Sequence, residues 1–302
     1  MTFPAIRRLR KQFNQIDAFC QDKLGKMAQE LRVIDNCFPI EAPYFSSLYS
    51  NTVDSRTASI FQAYDKIVIF SFSTQLEQSI RGITRGNVHR TPPRPEVSQR
   101  IHVAEYILHQ LVNCGLLKAP NASNGSLLQS IEYPDQRSES YDPKRIILHP
   151  GSGSRKKNWP LQNFLRVESI LRSYNFNPEF ILGPAEIFMA EDLQKESDRT
   201  RCIHEIDGIT ELSCLLKTSG GFIGNDSGVS HLAAFLGLPT VTVFGPSDSQ
   251  RWKPIGRAVK AVWSEPDCSP CFETDKTDCD EMECLLRITP EMVMNSFFEL
   301  IK

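Results

Sequence analysis

Several features that define common protein classes are scarce in this chain of 302 residues. It has no apolar run near the roughly 18–20 residues needed to cross a bilayer. Its opening, MTFPAIRRLRKQF, lacks the apolar core of a signal peptide. Neither sign of charge dominates, because 34 basic side chains face 36 acidic ones, which argues against a surface built for nucleic acid. We therefore expect a cytoplasmic protein that binds no nucleic acid.

Two familiar phosphate-binding motifs are also missing. The Gly-x-x-x-x-Gly-Lys spacing of P-loop enzymes is absent, and so is Gly-x-Gly-x-x-Gly. Cysteine is sparse, and its count of nine is odd. In a reducing compartment this favours free thiols or a metal site over a disulfide framework.

The first 120 residues are expected to form an α/β domain. Apolar residues at helical spacing predict a helix from Phe3 to Phe13, IDAFC predicts a short strand, and a helix is predicted over 23–31. The run KIVIFSF, residues 66–72, is typical of a buried strand. We expect the proline-bearing stretch 81–100 to be a loop, followed by a helix over 97–117.

Residues 121–143 are rich in Asn, Ser, Gly, Pro, Asp and Gln, which is typical of an interdomain linker. Over 144–302, strand candidates alternate with helical stretches near Leu161, Glu186, Glu211 and Ser230. This alternation predicts a parallel sheet with helices on both faces. The strand candidates are RIILH, PEFIL, GGFIG and PTVTVFG.

Two loops at strand ends carry residues suited to phosphate. RIILH leads into PGSGSRKKNWP, where glycine, serine and Lys157 could bind a diphosphate, although a solvated surface loop explains the same residues. GGFIG leads into NDSGVSHL, where Asp226 or Ser227 caps a helix at the carboxyl edge of the sheet. Here the alternative is a simple helix cap, with His231 packed against it.

The two loops and their order resemble glycosyltransferase family nine, the ADP-heptose:lipopolysaccharide heptosyltransferases. The similarity covers HPGSGSRKKNWP, ILGPAE, GNDSGVSHLAAFLGLPTVTVFGPSDSQRW, a cysteine cluster and ITPEMV, almost all of residues 145–302. The resemblance implies a GT-B-like fold of two Rossmann-like domains with parallel sheets. It also implies inverting transfer of heptose from ADP-heptose to a lipid-linked inner-core saccharide, with peripheral contact at the inner membrane.

The resemblance also implies roles for individual residues. Lys157 would stabilise the ADP leaving group, as one of three residues that hold the diphosphate, and Glu186 would accept hydrogen bonds from the adenosine ribose. No Asp-x-Asp metal motif stands out, so we expect transfer without a metal ion and no cofactor. The implied diphosphate residues are Ser152, Gly153 and Lys157, and the residues lining the phosphate and sugar region are Asp226, Ser227, Gly228 and His231.

One departure from the family concerns the catalytic base. Family members begin with a strand and a Gly-rich loop ending in Gly-Asp, whose aspartate is the expected base. The chain opens on a segment resembling the helix after that loop, so we expect a first domain incomplete at its amino terminus and leave the base unassigned. The alternatives are a non-catalytic nucleotide-sugar-binding remnant and, fitting the motifs less well, a nucleotide-sugar epimerase.

Two further groups of residues have open roles. The four late cysteines could bind zinc, but a structural or redox-inert role is favoured. A run of cations in the first domain suits either an anionic acceptor or a solvated loop. The cysteines are Cys268, Cys271, Cys279 and Cys284, and the cations are Arg81, Arg85, His89, Arg90, Arg94, Arg100 and His102.

Overall fold

A computed structural model describes residues 2–50, 52–118, 126–131, 133, 135–195, 201–266, 268–271, 279 and 282–302. The chain divides into two compact units, unit 1 over residues 1–131 and unit 2 over 132–302. Residues 121–125, 132 and 134 of the predicted linker lie outside the described residues. Within the described part of the chain, every helix is too short or too polar to cross a lipid bilayer.

Unit 1 alternates short strands with helices. The elements are α1 (Phe3–Leu9), β1 (Ala18–Cys20), α2 (Asp22–Glu30), β2 (Cys37–Pro39), α3 (Ser55–Gln62), β3 (Lys66–Phe70), α4 (Thr74–Ile83), β4 (Asn87–Thr91) and α5 (Val103–Asn113). Strands β1 and β2 pair in parallel, and so do β3 and β4. Side chains cap three of the helices: Asp54 accepts from two amides of α3, Ser73 accepts from one amide of α4, and His102 accepts from one amide of α5.

The core of unit 1 is aromatic and surrounds a cavity. Phe19 stacks on Phe38 and on Phe61, with ring centroids 4.9 and 4.6 Å apart. An apolar cavity of about 390 Å³ is lined by residues of both β1 and β3. Consequently β3, expected to be a buried strand, has one buried residue, Ile69, and is otherwise half-buried or exposed.

Two local expectations for unit 1 were wrong. The stretch 81–100 is not one loop, because α4 continues to Ile83 and β4 follows it; Val88 and Thr91 are buried, and proline begins only after the strand. The helix expected over 97–117 starts later, at α5. There the ring of His102 accepts a hydrogen bond from the Ala104 amide, which places the cap well inside the predicted span.

Unit 2 is built on a six-stranded sheet. Its elements are β5 (Asp142–His149), α6 (Leu161–Ser173), β6 (Asn177–Leu182), α7 (Ala190–Lys195), β7 (Ile203–Glu205), α8 (Ile209–Lys217), β8 (Ser219–Asn225), α9 (Gly228–Phe235), β9 (Thr240–Phe244), α10 (Ser249–Trp252), β10 (Val259–Trp263), α11 (Glu283–Leu286) and α12 (Pro290–Ile301). The strand order is β10-β9-β8-β5-β6-β7, and all pairs are parallel.

The central strands of unit 2 are deeply buried. All residues of β8 and β9 are buried, as parallel strands covered on both faces should be. Helix α12 packs so closely on β8 that a Cβ at Gly221 would lie 2.7 Å from the ring of Phe297. The predicted α/β class and parallel sheet are confirmed. Since the carboxyl ends of parallel strands lie at one edge of a sheet, the loops that follow β5, β6 and β8 all leave the sheet at that edge.

Candidate functional site

The loop after β5 is anchored at both ends. It begins at His149 and ends at Trp159, whose side chain is 1% exposed and donates from Nε1 to the Ile288 carbonyl at 3.0 Å. Between these anchors a 3₁₀ turn, Arg155–Lys157, presents three consecutive basic side chains. The loop therefore holds positive charge on a backbone that is fixed at its ends.

The loop after β8 meets the first loop through Lys157. The Nζ atom of Lys157 lies 2.8 Å from Oδ2 of Asp226, and the two side chains are 20% and 8% exposed. Asp226 comes two residues before the first residue of α9, where the helix dipole is positive. The structure thus brings the ammonium group to the amino end of α9.

Asn225, at the end of β8, links the two loops by hydrogen bonds from its side chain. Its side chain is fully buried. Its Nδ2 donates to the Pro150 carbonyl at 2.7 Å, and its Oδ1 accepts from the Trp159 amide at 3.1 Å. One amide side chain therefore satisfies backbone groups at both ends of the first loop.

The side chains of Ser152 and Ser227 are hydrogen-bonded to other protein groups of the site. Ser227, not Asp226, is the cap of α9, and its Oγ accepts from the Ser230 amide at 3.4 Å. The Oγ of Ser152 lies 2.6 Å from the Ser154 carbonyl and 2.7 Å from Oδ1 of Asn158, so this hydroxyl is engaged within its own loop.

Two glycines of the site face open space. Gly153 and Gly228 are exposed, and a Cβ built at either would meet nothing within 4 Å. No neighbouring protein atom requires glycine at either position. Because neither residue has a side chain, a bound molecule can approach both backbones closely. His231 lies one turn further along α9, half-buried, with its amide 3.3 Å from the Ser227 carbonyl.

Glu186 follows β6 and reaches the first loop. Its Oε2 accepts from the Gly183 amide at 3.0 Å. A Cβ at Gly151 would lie 2.1 Å from Cγ of Glu186, so the carboxylate side chain occupies the space that a larger residue at 151 would need. Burial raises the pKa of Glu186 above its ordinary value, while the Gly183 amide opposes that rise.

Three residues of the site were missed by sequence reasoning: Asn225, His149 and Trp159. Burial lowers the pKa of His149 to about 4, so its ring is neutral at neutral pH, and its Nδ1 lies 3.5 Å from Oγ of Ser227. Asn225 and His149 each terminate an apolar strand, and this polar ending of a buried run was the available signal. Trp159 gave none beyond its place in the motif.

The remaining candidate residues are the cations of unit 1 and the four late cysteines. Arg81 and Arg90 both bond to Glu77, which lowers the pKa of that carboxyl, whereas Arg85, Arg94 and Arg100 are exposed. Burial raises the pKa of Cys284 to about 11, with further contributions from the other three late cysteines. These four thiols therefore lie near one another.

The profile of glycosyltransferase family 9 (heptosyltransferase) matches residues 85–280, more than half of the chain. Lipopolysaccharide heptosyltransferase 3 of Escherichia coli K12 is 26% identical over 123 residues, 39% of this chain and 36% of that protein. Lipopolysaccharide heptosyltransferase 1 of Campylobacter coli is 30% identical over 122 residues, 36% of this chain and 33% of that protein. The matched segment thus spans about a third of each of these relatives.

Solved structures share the fold. A glycosyl transferase family 9 protein from Veillonella parvula gives a TM-score of 0.72 at 18% identity, covering 99% of this chain and 92% of that one. ADP-heptose lps heptosyltransferase II of E. coli gives a TM-score of 0.70 at 15% identity, and E. coli heptosyltransferase WaaC with ADP gives a TM-score of 0.68 at 15% identity. Each of these two matches covers 99% of this chain and 94% of the solved chain. The family resemblance drawn from the sequence is confirmed: the chain belongs to glycosyltransferase family 9, the heptosyltransferase family.

Proposed function

We propose that the chain transfers heptose from ADP-heptose to an inner-core saccharide of lipopolysaccharide, with inversion and without a metal ion. The observation that carries this proposal is the contact between Lys157 and Asp226, 2.8 Å apart at the amino end of α9. It brings a cation and a helix terminus to one place, and both favour a diphosphate.

The open glycines complete the diphosphate site. On this proposal Gly153 and Gly228 let phosphate oxygens approach the backbone, and free amides of the first turn of α9 would donate to such oxygens. When the bond from the anomeric carbon to the phosphate oxygen breaks, ADP takes the electron pair, and negative charge accumulates on its oxygens. On this proposal the ammonium group of Lys157 would stabilise that charge.

The adenosine end of the donor fits the region around Glu186. On this proposal the Glu186 carboxylate would accept hydrogen bonds from ribose hydroxyls, and the next two residues, Ile187 and Phe188, are large apolar side chains that are each 46% exposed. The guanidinium of Arg155 stands 4.5 Å from the ring centroid of Phe188. An exposed aromatic ring with a cation above it suits the flat base of a nucleotide.

The acceptor side of the proposal rests on charge. Arg85, Arg94 and Arg100 are exposed in unit 1, and cations of this kind suit an acceptor that bears phosphates or carboxylates. A lipid-linked acceptor implies that the protein works in the cytoplasm with peripheral contact at the inner membrane.

Transfer is tested by incubating the chain with ADP-heptose and a heptose-deficient inner-core acceptor, and by following both ADP release and the acceptor mass. The proposal predicts an acceptor heavier by one heptose, at a rate unchanged by EDTA. Binding of ADP-heptose without transfer would instead indicate a nucleotide-sugar-binding protein without turnover. If neither binding nor transfer is detected, the proposal is wrong.

A further inference from the structure

Three side chains of metal-binding type meet on one face of the unit 2 sheet. Strand β7 lies at an edge of that sheet and pairs with β6. His204 lies on β7, Cys202 comes two residues earlier and therefore shares its face, and Glu179 lies on β6. Their ligand atoms all lie within 4.8 Å of one another, and among the described residues this is the group of three with that property.

The distances within this group are close to those of a tetrahedral zinc site. Sγ of Cys202 lies 3.4 Å from Nε2 of His204, and that nitrogen lies 2.8 Å from Oε2 of Glu179. With metal bonds of about 2.0–2.3 Å, ligand atoms around zinc stand roughly 3.3–3.6 Å apart. Of these two distances, the one between sulfur and nitrogen already fits such a site, and the one between nitrogen and oxygen is shorter by about half an ångström.

A second layer of contacts fixes the carboxylate. Nε of Arg145 donates to Oε1 of Glu179 at 3.0 Å, which leaves Oε2 to face the histidine and the thiol. A second nitrogen of Arg145 donates to Oγ1 of Thr218 at 3.2 Å. Hydrogen bonds to the outer atoms of a metal ligand hold the ligand in place and are a usual part of metal sites.

The backbone holds the group as well. The Phe180 amide donates to the Cys202 carbonyl at 2.9 Å, so the cysteine is tied to β6 directly before β7 begins. The thiol is exposed and the His204 side chain is 32% exposed, so an ion and a water molecule can reach the group from solvent.

We propose that Glu179, Cys202 and His204 form a zinc-binding site, with water as fourth ligand, that clamps edge strand β7 to β6. A sulfur, a nitrogen and an oxygen ligand suit Zn²⁺ and disfavour Mg²⁺ or Ca²⁺, which select oxygen alone. Binding displaces the thiol proton of Cys202 to solvent, and the imidazole binds in its neutral form. The ion is structural, so this proposal stands independently of the transfer reaction.

The test compares metal binding by the full-length chain and its variants. After removal of bound metals, each protein is titrated with Zn²⁺ against a chromophoric chelator and with Co²⁺, whose absorption reports thiolate and tetrahedral coordination. Cys202→Ser and His204→Asn each remove a ligand. The matched control is Cys214→Ser, which removes an exposed thiol on α8. Any metal held by the late cysteines is common to all four proteins and cancels in the comparison.

The wild type and Cys214→Ser are expected to bind one more equivalent of Zn²⁺ than Cys202→Ser and His204→Asn, or to bind it at least about 100-fold more tightly. Zn²⁺ should also raise the melting temperature of the first two proteins more than that of the other two. Circular dichroism of the metal-free proteins shows whether each variant is folded. Equal Zn²⁺ stoichiometry and affinity in wild type, Cys202→Ser and His204→Asn would overturn the proposal.

Discussion

Asn225 should be among the most sensitive positions in unit 2. Replacing it by alanine leaves the Pro150 carbonyl and the Trp159 amide, now bonded at 2.7 and 3.1 Å, without a partner in the interior. Each buried group that loses its hydrogen bond costs about 1–3 kcal/mol, so we expect the free energy of unfolding to fall by about 2–6 kcal/mol. The affinity for ADP should fall as well, because the first loop loses its attachment to β8.

The substitution Asn225→Asp separates hydrogen bonding from side-chain volume. Aspartate has nearly the same size and can still accept from the Trp159 amide, but at neutral pH it places a carboxylate oxygen against the Pro150 carbonyl. It should therefore destabilise the protein about as much as alanine does. The matched control is Asn177→Ala, at the exposed start of β6, which should change the free energy of unfolding by less than about 0.5 kcal/mol.

Urea denaturation measures these free energies, and calorimetric titration with ADP measures affinity. If Asn225→Asp unfolds within about 0.5 kcal/mol of wild type, the inferred link between the two loops contributes little and the reasoning fails.

Three further predictions concern other parts of the molecule. Gly153→Ala and Gly228→Ala should leave the melting temperature nearly unchanged, because the added methyl groups meet open space, yet weaken ADP binding measured by calorimetry; unchanged binding in both would remove these backbones from the site. The pKa of His149 is about 4 in the folded protein against an ordinary 6.5. The contribution of its neutral ring to the free energy of unfolding is therefore complete above about pH 6.5 and declines as pH falls toward about 4. Wild type should therefore lose about 3 kcal/mol more than His149→Gln over that window in denaturation experiments, and parallel curves would contradict this. Amide hydrogen exchange should be slower in β5, β8 and β9 than in β1 and β3, because β1 and β3 belong to two-stranded sheets and line a cavity; equal protection would contradict the described difference in burial.

The fold of unit 2 was largely predictable because its four inner strands, β5, β6, β8 and β9, contain compact apolar runs. The runs that become β5, β6, β8 and β9 consist of residues that a sheet covered on both sides requires, and the loops between them carry glycine and polar residues. Strand β4 escaped prediction for the opposite reason: Asn87–Thr91 is polar, and its place depends on pairing with β3. Tertiary pairing overrides local composition in such strands.

Sequence reasoning selected the charged residues of the candidate site and missed its supporting ones. Lys157 and Asp226 stood out because they lie in loops after strands. The pairing of Asp226 with the lysine, with the helix cap left to Ser227, depends on a distance between two loops that are 69 residues apart in sequence. Asn225 and Trp159 were missed because their partners are backbone groups, and no sequence pattern marks a carbonyl that needs a donor.

Calorimetric titration of ADP into wild type, Lys157→Ala and Lys144→Ala tests most directly whether the two loops hold a diphosphate. Lys144 is an exposed lysine on the same strand-and-loop segment but at the opposite end of β5, which makes it a matched control for lost charge. Hydrogen bonds to charged groups contribute about 1.5–3 kcal/mol, so Lys157→Ala should bind ADP about 10- to 100-fold more weakly while Lys144→Ala binds as wild type does. Equal ADP affinity in all three proteins would contradict the account.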